Sequence, residues 1–177
     1  MSSASEGSGQ PNTDPLYTAG RETRPPGAYG LKGAGRGERD HDYVVPPLEG
    51  LWWAEHHEVF TTSRDKRAWS WTMMLLIPAW IPEGMPERVA ADVSARRGLP
   101  RAADLRISTL EEGRCMQTLH LGGYDEEGPV LEAMHRDFAP AHGVRLRGTH
   151  HEIYLSDPRR TAPEKLKTIL RQPVEPM

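Results

Sequence analysis

The residues of this chain whose types and spacing could do chemistry lie in two short stretches and one aromatic cluster. The first stretch, His150-His151-Glu152-Ile153-Tyr154-Leu155, has the alternation of a β-strand. That alternation sends Glu152 and Tyr154 to one face and Ile153 and Leu155 to the other. A carboxylate in the middle of an apolar strand, with a phenol two residues on to hydrogen-bond it, suits a general base or a counter-ion for a cationic guest. A partly exposed strand glutamate is the plainer alternative. The adjacent histidines point to opposite faces and lack the helical spacing of zinc-binding pairs, so no metal site is expected. The second stretch, Gly122 to Pro129, leaves a strand and enters a helix. Its acidic residues fit an ordinary helix start, where the dipole favours negative charge. The same loop can also hold a tyrosine and a second carboxylate near Glu152 if the two C-terminal strands pair, and paired carboxylates suit acid–base work.

The cluster is tryptophan: Trp52, Trp53, Trp69, Trp71 and Trp80 all lie within 29 positions. On a strand, Trp69, Trp71 and Met73 share one face, whereas Trp52 and Trp53 face opposite ways. Large rings bury roughly 150–250 Å² each, and they can form a core or wall a pocket for a flat aromatic or cationic ligand.

These groups need elements to position them. The chain has 177 residues, 37% hydrophobic and 27% charged, with a formal net charge of -3. That fits one small domain plus some unstructured length. The longest apolar stretch, Trp71 to Trp80, contains Thr72 and Pro78. It is far shorter than the roughly 20 residues needed to cross a bilayer, so no membrane association and a cytoplasmic location are expected. The single Cys115 excludes an internal disulfide and a multi-cysteine zinc site,. A near-neutral charge argues against direct nucleic-acid binding.

Residues 1–40 carry eight of the 17 glycines. The segment is expected to be largely disordered or irregular, disordered over about 1–27, with the folded domain over 41–174. Within that domain the pattern predicts strands at Leu51 to Glu55, Ala68 to Ile77, and His150 to Leu155, and a hairpin of Leu105 to Leu110 with Arg114 to Leu121. Helices are expected at Pro86 to Arg97, closed by Gly98, and at Pro129 to His142, with Val130, Leu131, Met134 and Phe138 buried. Thr161-Ala-Pro-Glu164 has the form of a capping box and predicts a short helix. The order is that of an α+β domain in which strands, helix, strands and helix come round twice, as two packed copies with a ligand cleft would.

Three segments carry a resemblance: Tyr43-Val-Val-Pro-Pro-Leu-Glu-Gly-Leu-Trp-Trp53, Gly123-Tyr-Asp-Glu-Glu127, and His150 through Lys167. They resemble the GyrI-like small-molecule-binding family over about Tyr29 to Val174. The resemblance implies duplicated βαββ units sharing a ligand cleft. It also implies a first unit truncated at its N-terminus, because the stretch before Tyr29 is short and rich in glycine and proline. The exposed edge this leaves would favour a homodimer. One subfamily with similar motifs hydrolyses the cyclopropane ring of DNA-alkylating antibiotics of the yatakemycin and duocarmycin type in an aromatic cage, needing no metal or organic cofactor. By this resemblance Trp53, Trp69, Trp71, Tyr124 and Tyr154 are cage candidates, and Glu127 and Glu152 form the acidic pair. The expected function is cyclopropyl hydrolysis of a planar aromatic drug. The alternative is a non-catalytic protein that binds planar or cationic lipophilic compounds.

Overall fold

The computed structural model describes residues 2–8, 27–38, 41–54, 69–97 and 106–177. The elements are strand β1 (Ser2–Ser8), helix α1 (27–38), β2 (Leu48–Trp53), β3 (Ser70–Leu76), α2 (Met85–Arg97), β4 (Arg106–Ser108) and β5 (Cys115–Leu121). A 3₁₀ turn (Tyr124–Glu126), α3 (Gly128–Glu132), a π-helical segment (Ala133–Phe138) and α4 (Ala139–Ala141) follow. The chain ends with β6 (Val144–Leu146), β7 (His150–Tyr154), a 3₁₀ turn (Pro163–Lys165) and β8 (Lys167–Pro176). Helices packed with antiparallel strands make this an α+β protein. The chain divides into two compact units. Unit 1 holds the described residues of 2–7, 27–38, 41–48, 72–97 and 106–110, and unit 2 those of 49–54, 69–71 and 111–177, with residue 8.

In unit 1 the strands run in the order β4-β1-β3, and β1 pairs antiparallel with β4, Ser3 opposite Ile107. Leu31, Ile77, Ile81, Met85, Val89 and Val93 gather there in an apolar cluster. Val89 and Val93, four residues apart, fall on one face of α2 and are both buried,. The truncated first unit is overturned, because β1 and α1 supply an opening strand and helix. The reason lies in the glycines. A Cβ on Gly30 would sit 2.7 Å from Val93 Cγ2 and 3.1 Å from Val89 Cγ1, so glycine is what lets α1 approach α2 and bury Leu31,. Composition reads Gly30 as part of a disordered segment, whereas its contacts make it a packing position. The strand β1 rests on its backbone ladder, which composition does not register.

In unit 2 the order is β2-β7-β8-β5, with β6 also on β8. The central strand β8 places Leu170 opposite both Glu152 of β7 and Thr118 of β5. It alternates over its first half, with Thr168 and Leu170 buried between exposed or half-buried neighbours, and then buries Gln172, Pro173 and Val174 in succession. On that face, Leu170 joins Met116, Leu131, Met134, Ala139, Val144 and Val174 in the core under α3 and α4.

The helix expected after Thr161 is a correction. It forms only as a three-residue 3₁₀ helix, Pro163–Lys165, and the capping box is what fails: the N-cap is Ala162 with no side-chain cap, and the chain then extends as β8. Pro173, which lacks an N–H, disguised the strand. The hairpin is a second correction: β4 pairs with β1 and β5 with β8. Gly113 takes a positive φ of 66° ahead of a bend at Arg114, and Glu112 beside it is bound by His151 and Arg171. The helices at 86–97 and 129–142 appear within a residue of their expected bounds, except that the second contains the π-helical segment. Phe138, expected on the buried stripe, is 48% exposed and stacks on His142 instead, because the π turn rotates it off the core face,. Glu55, Ala68, Gly98, Leu105 and residues 9–26 lie outside the described residues.

Candidate functional site

The site is built on β7 of unit 2. Strand alternation puts His150, Glu152 and Tyr154 on one face and His151 and Ile153 on the other,. The Tyr154 hydroxyl donates to Glu152 Oε2 at 2.7 Å, and the Trp52 indole N–H donates to the Tyr154 oxygen at 3.1 Å. The result is a directed run, indole to phenol to carboxylate, in which the bond Tyr154 receives strengthens the one it gives. Glu152 is 6% exposed and Trp52 3% exposed, so both bonds form where water competes little. The other carboxylate oxygen of Glu152 lies 3.5 Å from His150 Nε2.

The surrounding rings hold this run in place. Trp69 meets Trp52 edge-on with centroids 5.5 Å apart, and Tyr124 meets Tyr154 edge-on at 5.6 Å. Both are favourable aromatic geometries. Tyr124 is delivered by the 3₁₀ turn after β5, which is stapled by the Glu126 carboxylate accepting the Gly123 N–H at 3.0 Å. Gly50 on β2 leaves the space that the run occupies: a Cβ there would lie 2.9 Å from both Trp52 Nε1 and Tyr154 Oη. Opposite Tyr154 in the ladder stands Thr168, fully buried, with His120 beyond it. His120 Nε2 lies 3.1 Å from the Gly123 carbonyl. His135, carried by the π-helical segment, approaches His150 with ring centroids 6.5 Å apart. Such segments recur where a helix must turn a functional side chain inward.

The sequence-derived residues fall as follows. Glu152, Tyr154, Tyr124 and Trp69 are brought into one connected group through Trp52. Glu127 is buried at 3% exposure at the head of α3, and Trp71 is fully buried on β3. Trp53 is half-buried on the opposite face of β2 from Trp52,. The indole on Tyr154 therefore belongs to Trp52, which sequence reasoning left outside the cage. Gly50, His120, His135 and His150 were missed as well. Parity alone signalled two of them: His150 shares the face of Glu152, and Trp52 could not share a face with Trp53.

The other face of β7 carries a second polar cluster. His151 is 1% exposed, with Nε2 3.0 Å from Glu49 Oε2 and Nδ1 3.0 Å from Glu112 Oε1. Glu112 Oε2 in turn accepts from Arg171 Nη1 at 3.1 Å, and Arg171 Nε donates to Gln117. Burial alone would push the His151 imidazole down, but the hydrogen bonds to Glu112 and Glu49 overturn this and hold it above its ordinary 6.5,. Burial would likewise raise Glu112, yet His151 and Arg171 bring it below its ordinary 4.5.

Unit 1 has a different character. A hollow of about 360 Å³ there is lined by Ile77, Ile81 and Ile107 with Glu83 and Glu87. Ser108 and Thr109 also line it. Among the described residues no cluster of histidine, cysteine and carboxylate side chains is arranged to hold a metal ion. No helix among them is long and apolar enough to cross a membrane.

The profile of the GyrI-like small molecule binding domain matches residues 32–175, and the chain belongs to that family. A solved structure of an uncharacterized conserved protein from Listeria innocua is 34% identical, with a TM-score of 0.86 over 99% of this chain and 88% of that one. A hydrolase from the same organism is 32% identical, with a TM-score of 0.82 over 99% of this chain and 87% of that one. Another Listeria innocua hydrolase structure is 33% identical, with a TM-score of 0.83 over the same shares, 99% and 87%. Among curated proteins none matches.

Proposed function

We propose that this protein is a hydrolase that opens the cyclopropane ring of DNA-alkylating antibiotics of the yatakemycin and duocarmycin type, protecting against them. The observation that carries the reading is the hydrogen-bonded run from Trp52 through Tyr154 to Glu152, buried and flanked by Trp69 and Tyr124. The hydrolases among the similar solved structures support it.

A planar conjugated drug stacks against the indole and phenol rings, with Trp53 and Trp71 as further cage residues by the resemblance. Tyr154 occupies Glu152 Oε2, so Oε1, which lies 3.5 Å from His150 Nε2, is the oxygen assigned to water. Glu152 accepts a proton as the water oxygen bonds to the strained methylene carbon, and the ring carbon–carbon bond breaks. The electron pair of that bond passes into the conjugated dienone to give a phenolate, which takes up the proton. Water is added and nothing is oxidised or reduced. Glu127 is assigned to orienting that water. Ring strain and formation of an aromatic phenol supply much of the driving force, so the protein orients water and removes one proton, a contribution of about 10²–10⁴-fold for a positioned base.

The test is product analysis. Incubating the protein with a cyclopropane-bearing alkylator gives the ring-opened alcohol, heavier by one water. Recovery of unchanged drug with quenched tryptophan fluorescence would instead identify a binding protein without catalysis.

A further inference from the structure

We infer that the Glu49–His151–Glu112 clamp is a positioning device for the site on the opposite face of the same strands, holding β2 on β7 in the register that seats Trp52 on Tyr154. The inference rests on reading the Trp52–Tyr154–Glu152 run as the ligand site.

The geometry is that of two adjacent strands tied on both faces. On one face Trp52 of β2 bonds Tyr154 of β7. On the other, Glu49 of β2 bonds His151 of β7 at 3.0 Å. Glu49 lies three residues before Trp52, and His151 lies next to Glu152, so a shift of β2 that frees Glu49 also moves the indole. Gly50 leaves little slack, since Trp52 Nε1 and Tyr154 Oη would both lie 2.9 Å from a Cβ placed there.

Bonding two carboxylates at once requires both ring nitrogens of His151 to donate, which only the imidazolium does. The groups facing His151 are Glu49 from β2, Glu112 from the turn before β5, and Arg171, its ladder partner on β8. Glu112 is also tied by Arg171, and its carbonyl accepts from Arg147 at 2.7 Å. Loss of the His151 proton therefore sets a ring lone pair against a buried carboxylate. Glu112 keeps Arg171, so Glu49 is the side chain that is released, and β2 moves with it. The raised proton affinity of His151 fits this arrangement. His151 touches no ligand in this account. It acts through Glu49 and the strand.

The experiment follows the Trp52 indole N–H resonance, assigned with Trp52→Phe, together with the His151 ring signals and the rate of loss of a duocarmycin-type alkylator, all against pH in the full chain. The expected result is one shared midpoint above 6.5. Above that midpoint the indole resonance shifts and drug loss slows. Glu112→Gln should move both midpoints together toward acid. An indole resonance that stays fixed while the His151 ring titrates overturns the inference, and wild type alone decides this if the variant does not fold. An indole that follows His151 in a protein that leaves the drug unchanged would refute the hydrolase reading and leave the positioning intact.

Discussion

The two units bury different things. Unit 1 closes over an aliphatic cluster of leucine, isoleucine, methionine and valine, and Thr72 is the one buried polar side chain among its described residues. Unit 2 has an aliphatic core of similar kind under α3 and α4, but beside it buries Glu49, Glu127, Glu152, His120, His150 and His151. Burying charge without partners is costly. Where the partners are resolved, they form short directed runs: Trp52 to Tyr154 to Glu152 on one face of β7, and Glu49 to His151 to Glu112 to Arg171 on the other. The comparison teaches that packing holds unit 1, while unit 2 uses part of its interior for polar groups whose geometry is fixed by one another. Such polar interiors often mark functional sites.

If that contrast is right, substitutions in the two units should separate stability from ligand chemistry. The largest stability effect is expected from Ile81→Ala, which empties part of the unit 1 core. A loss of about 2–5 kcal/mol in denaturant unfolding is expected, with tryptophan quenching by a planar drug unchanged per folded molecule. Tyr154→Phe should do the reverse. It removes one oxygen that both accepts from Trp52 and donates to Glu152, costing about 1–3 kcal/mol of stability and weakening drug quenching and turnover beyond that loss. Equal effects of both variants on ligand affinity would erase the distinction.

The pH dependence of stability sharpens it further. His151 is raised from 6.5, so its contribution is complete below 6.5 and is lost as pH rises through the folded value,. Glu112 is lowered from 4.5, so its contribution is complete above 4.5 and is lost as pH falls through the folded value,. Together they place a stability plateau between 4.5 and 6.5. Urea midpoints in a pH series should show it, and His151→Gln should flatten the alkaline side. The smallest effect is expected at the surface pair of Asp157 and Arg159. The guanidinium bonds hold Asp157 at about 2. Arg159→Ala should return that carboxyl toward its ordinary value in an NMR titration while changing stability by less than about 1 kcal/mol.

The parts of this arrangement that alternation and helical period dictate were legible in the sequence. The face shared by Glu152 and Tyr154, the opposite facing of the two histidines, and the helices at Met85–Arg97 and Gly128–Ala141 all follow from spacing. What was not legible depends on partners remote in the chain. Trp52 and Tyr154 are separated by 102 positions, as are Glu49 and His151, and no local pattern says which of two adjacent indoles meets the phenol. β8 was missed because a proline and a glutamine interrupt its apolar alternation, while its hydrogen bonds come from β5, β6 and β7. α1 was missed because its glycines look like a linker when counted without their neighbours, although one of them, Gly30, permits the close approach to Val89 and Val93.

The central claim, that the Glu152 carboxylate removes a proton from water beside a bound planar drug, is tested most directly by Glu152→Gln. The amide keeps the size of the side chain and can still accept from Tyr154, but it cannot take the proton. The rate of alkylator ring opening should fall about 10²–10⁴-fold, while tryptophan quenching still reports a bound drug. Ring opening at the wild-type rate in that variant would contradict the account.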